Sequence, residues 1–231
     1  MTDQLTLPVG LSDSASFENF HAPATQAAVD AVRELASSTT NAGTLLHGQS
    51  GSGKTHLAWA LCRLARDQGR TALYIPMRQT ELALSLLTEL PDRAVVCIDD
   101  LEGLVGNDEL QGRLFSFVEH LSHADSLQIL FSTATTLQNL GLELADLVSR
   151  IGAVPGHELK SLGDSEKSSA LRLRATARGL TVSDEAIDYI LRHTPRDTHA
   201  LFGLLDELDR ASLAAQRRVT LPLVREVIAR A

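Results

Sequence analysis

The sequence predicts an α/β domain, a parallel sheet with helices on both faces, followed by a small α-helical domain. Three observations predict it. Over the first two thirds of the chain, short apolar runs alternate with amphipathic helical segments, the order of a parallel sheet with crossover helices. Runs such as Val95-Val96-Cys97-Ile98 are continuously apolar, as strands buried on both faces are. Beyond about Leu162 the strand signals stop and only helical periodicity remains.

Taken in order, residues 1–16 lack periodicity and contain Pro8, Gly10 and the run Ser12-Asp13-Ser14, which reads as a flexible tail. From Pro23, Val29, Val32 and Leu35 fall at helical spacing, so a first helix is expected to about Ala36. Gly43 to His47 reads as a short buried strand ending at Gly48. A helix over 57–65, a strand over 71–75 and a helix over 79–90 follow. A strand over 94–98, a helix over 108–121 and a strand over 127–131 complete the alternation. Asp164 is expected to cap a helix that Gly179 terminates, and Ser183 to cap the next, with Ile187, Ile190 and Leu191 on one face. Residues 197–216 carry Leu201, Leu204, Leu205 and Leu208 as an apolar stripe. Thr220 is expected to cap a last helix with Pro222 in its first turn. The predicted domains are a tail at 1–16, an α/β domain at 17–161 and an α-helical lid at 162–231.

The 231 residues suffice for a large core without disulfides or metals. A net charge of −8 and three lysines (Lys54, Lys160, Lys167) argue against strong direct DNA binding, which calls for a basic face. Cys62 and Cys97, far apart in sequence and each in an apolar pattern, read as buried thiols of a reducing compartment. The amino terminus lacks a signal-peptide pattern, and no apolar stretch approaches the length of a membrane span, so a cytoplasmic location with no membrane partner is expected.

Gly48-Gln49-Ser50-Gly51-Ser52-Gly53-Lys54-Thr55 satisfies the phosphate-binding P-loop (Walker A) pattern in full. Its glycines let backbone N–H groups turn inward around phosphate oxygens at a helix N-terminus, where the dipole favours anions. Lys54 can reach the β- and γ-phosphates, and the Thr55 hydroxyl can bind Mg²⁺. About forty residues later, Val95 to Ile98 ends in Asp99 and Asp100, a matching Walker B. Asp99 would hold Mg²⁺ through water, and Asp100 would orient or deprotonate an attacking water. The expected ligand is ADP or ATP with Mg²⁺.

Ser16-Phe17-Glu18-Asn19-Phe20 resembles the entry motif of DnaA, the bacterial replication initiator of the AAA+ P-loop NTPase class. Ile98-Asp99-Asp100-Leu101 and Asp146-Leu147-Val148-Ser149-Arg150-Ile151 resemble its Walker B and arginine-finger segments. Gln4-Leu5-Thr6-Leu7-Pro8-Val9 is similar to the peptide by which partners dock on the DNA polymerase sliding clamp. A lone DnaA-like module with such a tail, and with Leu204 to Ser212 near its end, resembles the Hda family, the regulatory inactivators of DnaA.

That resemblance implies an AAA+ fold with a lid, DnaA and the polymerase III clamp (beta subunit) as partners, and self-association into a homo-oligomer. Gln4, Leu5, Leu7 and Pro8 would be the clamp ligand, with apolar pockets for the leucines. Arg150 would be the finger delivered in trans to a triphosphate held by DnaA. The nucleotide would be held by Gly48, Gly51, Ser52, Gly53, Lys54, Thr55 and His56, joined from the lid by Arg196 and His199. Two departures from the family pattern stand out. Ala134 falls where a polar sensor is usual, with Thr133 and Thr135 beside it. His199 stands where the lid arginine is expected, with Arg196 three residues earlier on the same helix face. Both point to weak or absent intrinsic ATPase, so that the nucleotide serves chiefly as a conformational ligand. The competing reading is a DnaA-like helicase or transposition loader of the DnaC or IstB kind, which predicts contacts with single-stranded DNA.

Overall fold

Alternation of apolar strands and amphipathic helices sets the architecture of the chain. The computed structural model describes residues 15–21, 23–88, 94–122, 126–194, 198–215 and 219–230. The chain divides into two units. Among the described residues, one takes in 15–17 together with 24–160, the other 18–23 together with 161–230.

In the first unit, β1 (Ala42–His47), β2 (Thr71–Pro76), β3 (Ala94–Asp99), β4 (Gln128–Thr133) and β5 (Gly156–Glu158) form one sheet. Its order is β2-β3-β4-β1-β5 and every pairing is parallel. The path runs from β1 to the far edge at β2, returns through β3 and β4, then passes over β1 to β5. Such a reversal opens a crevice at the carboxyl end of the strand where it occurs, the usual ligand position in open α/β sheets. Here that strand is β1, and the P-loop follows it.

Side chains that alternate along β3 explain why it is apolar throughout. Val96 and Ile98 face the core that also holds Leu45, Ile75 and Phe131 of the sheet. Leu110, Leu114 and Phe117 of α4 (Asp108–Ser122) and Leu147 and Ile151 of α5 (Ala145–Gly152) join them. Cys97 points the other way, to α2 (Lys54–Asp67), where its Sγ lies 3.5 Å from that of Cys62 and 3.5 Å from the Ala58 carbonyl oxygen. On that same face the Tyr74 ring of β2 stacks on Trp59 of α2 at 3.9 Å between centroids. Both cysteines are buried, free thiols. They are neighbours because α2 packs on β3, which their 35-residue separation conceals. Removing one fully buried leucine such as Leu110 or Leu114 would cost about 2–5 kcal/mol.

The first helix opens as a 3₁₀ turn at Pro23–Thr25 and continues as α1 (Gln26–Ser37). Arg70 closes its far end, donating to the carbonyls of Leu35, Ala36 and Ser38 at 3.3, 2.8 and 3.4 Å. A cation there meets the negative end of the helix dipole. After β2, α3 (Thr80–Leu86) stops short of Leu90, the expected end, which lies outside the described residues. Two elements go beyond the sequence reading. The α5 helix is amphipathic, with Leu147 and Ile151 buried. The β5 strand, Gly-His-Glu, has little strand propensity and exists by pairing with Leu45 to His47.

In the second unit, α6 (Asp164–Ala177), α7 (Asp184–His193), α8 (Thr198–Ala215) and α9 (Leu221–Ile228) enclose Leu171, Ile187, Ile190, Leu201, Leu205, Leu208 and Val224. Gly163, not Asp164, stands at the N-cap of α6. Its N–H is met at 2.7 Å by the Glu166 carboxylate reaching back, while Asp164 is the first helical residue. The helix ends as expected at Gly179, where the Leu180 N–H returns to the Ala175 carbonyl at 2.8 Å. Ser183 caps α7 by accepting from the Ala186 N–H at 3.3 Å. Thr220 occupies the N-cap of α9 without a side-chain bond, followed by Leu221 and Pro222.

Candidate functional site

Gly48 to Thr55 wraps the carboxyl end of β1 and opens α2. Gly51 and Gly53 take positive φ of 77° and 101°, which lets successive N–H groups face inward. At Gly48 a Cβ would lie 2.2 Å from the Leu159 carbonyl oxygen, so no side chain fits. Lys54 is buried and folds back over the loop, donating from Nζ to the Gly48 and Gln49 carbonyls at 2.6 and 3.1 Å. Burial holds its ammonium below the ordinary lysine value, against the opposite pull of Asp100, Asp99 and Glu102. The Ser52 hydroxyl is buried and lacks a hydrogen-bond partner. A concave loop with inward N–H groups, a buried cation and an orphan hydroxyl fits a phosphate chain.

The end of β3 supplies the acids. Asp99 is buried, and one of its oxygens, Oδ2, accepts from the Thr55 hydroxyl at 2.8 Å and the Tyr74 hydroxyl at 2.6 Å. The other, Oδ1, accepts from the Ser132 hydroxyl. Three of the roughly four lone-pair sites of the carboxylate are thus taken by hydroxyls. Burial first, then the Asp99 charge, pushes the Tyr74 phenol well above its ordinary value, so it is a permanent donor. Among the described residues no cluster of three or more His, Cys, Asp or Glu could hold a metal by itself. That donor set suits Mg²⁺, which binds through one or two protein oxygens, phosphate and water. Thr55 and Asp99 would hold it.

Asp100 sits in the left-handed region at φ 58°, its N–H donating to the Ser132 hydroxyl at 3.0 Å. Burial, then the adjoining Asp99, raises its carboxyl above the usual range, and Arg78 opposes them from 3.2 Å. Glu102, in the 3₁₀ turn Leu101–Leu104 that follows, accepts from the Thr133 hydroxyl at 2.7 Å and from the Ala134 N–H. Thr133, one of the two threonines beside the altered sensor, therefore has its hydroxyl committed to Glu102. His56 turns its Nε2 to the Ser16 carbonyl at 2.8 Å and fastens the entry segment to the P-loop helix.

Arg150 lies in the last turn of α5, 46% exposed, with Nη2 2.5 Å from Glu119 of α4. The P-loop, Asp99 and Asp100 come together at the carboxyl ends of β1 and β3, and Arg150 stands on a separate helix. Arg196 and the tail residues Gln4, Leu5, Leu7 and Pro8 lie outside the described residues, and His199 falls on α8 of the second unit.

Sequence reasoning passed over Tyr74, Arg78, Glu102, Ser132 and Glu119. Tyr74 sits in an apolar run and looks like core, and Arg78 meets Asp100 only because β2 is the neighbour of β3. Glu102 was the one within reach, three residues beyond Asp99 in a helical turn.

Comparison with known proteins adds four findings. Residues 164–228 match the family model for the lid domain of Hda. Over 229 residues, 99% of either chain, the sequence is 34% identical to an uncharacterized protein of Haemophilus influenzae. The fold is similar to domain III of the Thermotoga maritima replication initiation protein DnaA. That match has a TM-score of 0.78 at 20% identity, covering 96% of this chain and 98% of that one. The AMPPCP-bound DnaA of Aquifex aeolicus gives a TM-score of 0.67 at 21% identity, over 87% of this chain and 66% of that one.

Proposed function

This chain is an Hda-like member of the DnaA-related AAA+ family, and we propose that it regulates replication initiation by stimulating hydrolysis of ATP held by DnaA. In this reading it binds ADP or ATP with Mg²⁺, docks on the polymerase sliding clamp through Gln4, Leu5, Leu7 and Pro8, and delivers Arg150 to the triphosphate of the initiator. One observation carries the reading. A complete phosphate loop lies in the same chain as a half-exposed arginine on another helix, so holding a nucleotide and assisting a second one fall to different residues.

The chemistry of each residue follows from its place. Inward N–H groups of the loop bind phosphate oxygens, and Lys54, released from the Gly48 and Gln49 carbonyls, neutralises them. Thr55 and Asp99 would hold Mg²⁺, which would supply neutralisation of phosphate charge when bound. Asp100 is the residue placed to take a proton from water, and its ion pair with Arg78 opposes that role. Slow or absent turnover by the isolated protein is the consequence. Arg150 acts elsewhere, placing a planar guanidinium against charge that develops as the γ-phosphoryl group leaves DnaA-bound ADP.

The test preloads DnaA with labelled ATP, adds clamp on DNA and follows conversion to ADP. Acceleration that requires the clamp, and is lost in Arg150→Ala or on changing Gln4 with Leu5, supports the proposal. Absence of acceleration with nucleotide binding intact rejects it in favour of the loader reading.

A further inference from the structure

The helix that carries Arg150 is fastened at both ends to one neighbour. At its start, the Glu143 and Leu144 N–H groups both donate to Gln111 Oε1 at 3.1 Å. At its end, Arg150 Nη2 meets Glu119 at 2.5 Å. Gln111 and Glu119 belong to α4, eight residues or about 12 Å apart along the helix. Leu144 to Arg150 spans about 9 Å by the same rise. The two helices therefore run side by side in the same direction, with Leu110, Leu114, Phe117, Leu147 and Ile151 sharing one core between the fastenings. Gln111 is buried, and its Nε2 also donates to the Leu104 carbonyl at 3.2 Å, at the end of the turn that leaves Asp99 and Asp100.

We propose that Glu119 is the positioning residue for Arg150, and that α4, through Gln111 and Glu119, is the rail that aims the guanidinium at a triphosphate bound by another subunit. The proposal rests on the finger reading of Arg150. A guanidinium is a planar fork of five N–H donors, and a carboxylate on Nη2 leaves donors for phosphate. An arginine side chain has many rotamers, and a contact at its tip selects among them before the partner arrives. Withholding the arginine would need a strong pair. With the two side chains 46% and 37% exposed, this pair is too open to compete with a phosphate but sufficient to bias direction.

The experiment uses the full chain with labelled ATP on DnaA and clamp on DNA, comparing wild type, Arg150→Ala, Glu119→Ala and Glu119→Gln at saturating and limiting concentrations. Glu119→Ala is expected to lower the saturating rate about tenfold, as loss of orientation does, with the half-saturating concentration and ADP affinity unchanged. Glu119→Gln, which keeps the side-chain length and an oxygen to face Nη2, is expected to recover most of the rate. Arg150→Ala that abolishes stimulation, beside Glu119→Ala at or above the wild-type rate, overturns the positioning role and leaves the finger reading standing. Glu119→Gln as slow as Glu119→Ala also overturns it. Arg150→Ala that matches wild type overturns the finger reading and takes the positioning role with it.

Discussion

The acids and cation around the P-loop are tied inward, whereas Arg150 is tied at its tip and open to solvent. Lys54 rests on two loop carbonyls, Asp99 accepts from three hydroxyls and Asp100 faces Arg78. Arg150 has the Glu119 carboxylate beside it and is nearly half exposed. A network whose acids are held by neighbouring hydroxyls is suited to holding a ligand, since those groups are already oriented when it binds. Chemistry on that ligand would need Asp100 released from its guanidinium. On the proposed reading, the work on a phosphate falls instead to Arg150, a half-exposed cation paired with Glu119 on a helix apart from the loop.

The largest expected effect separates the two regions. Arg150→Ala should cut stimulated hydrolysis on DnaA by about 10³-fold, the scale of a lost arginine finger, while ADP affinity measured by calorimetry stays at the wild-type value. Loss of affinity in that variant would merge the two regions and break the comparison. Lys54→Ala should do the converse, weakening ADP binding by about 100-fold through loss of a charge-assisted phosphate contact. Its melting temperature in the absence of nucleotide should stay close to that of wild type, because burial of the ammonium costs the fold rather than supports it.

A smaller effect tests the inner network. Tyr74→Phe keeps the ring stacked on Trp59 and removes the hydroxyl that orients Asp99. Mg²⁺-dependent nucleotide binding should weaken about tenfold, as loss of a group that orients a metal ligand does, with binding in EDTA unchanged. Trp59 is the only tryptophan and stacks on the altered ring, so its fluorescence can follow the titration. Equal loss with and without Mg²⁺ would make Tyr74 a packing residue.

The smallest effect concerns Asp100. Its folded pKa is raised, so the ionised form is disfavoured in the fold, and stability falls as pH rises from the ordinary carboxylate value through the raised one. Above the raised value that penalty is fully present. Asparagine has no charge to lose and tolerates the left-handed backbone at φ 58°. Asp100→Asn should therefore melt slightly higher at pH 7 and show no gain at pH 3, by thermal denaturation at both. A lower melting temperature at pH 7 would mean the Arg78 pair outweighs burial and repulsion from Asp99.

The P-loop and the Asp99–Asp100 pair were legible because their chemistry is local: glycines, a lysine and acids at fixed spacing after an apolar strand. The helical periods of α1, α2, α4 and the second unit were legible for a similar reason, since an amphipathic stripe repeats within a few residues. The α5 helix also carries such a stripe, in a segment read for its arginine instead.

By itself, then, the sequence determined the parallel α/β class, the phosphate-loop motif, the pair of acids at the end of an apolar strand and the helical second unit, because backbone periodicity and short motifs encode them within one element. Only the tertiary structure decided the groups that work across elements. Strand order β2-β3-β4 brings Tyr74 and Ser132 to Asp99 and Arg78 to Asp100. The side-by-side run of α4 and α5 brings Glu119 to Arg150, and pairing with β1 makes a strand of Gly156–Glu158. These contacts join residues 22 to 111 positions apart, as the Arg78–Asp100 pair and the Thr44 hydroxyl on the Pro155 carbonyl show. Nothing in a local pattern records such neighbours, because sheet order and helix packing are settled by burial of whole faces and not by any one residue's preference.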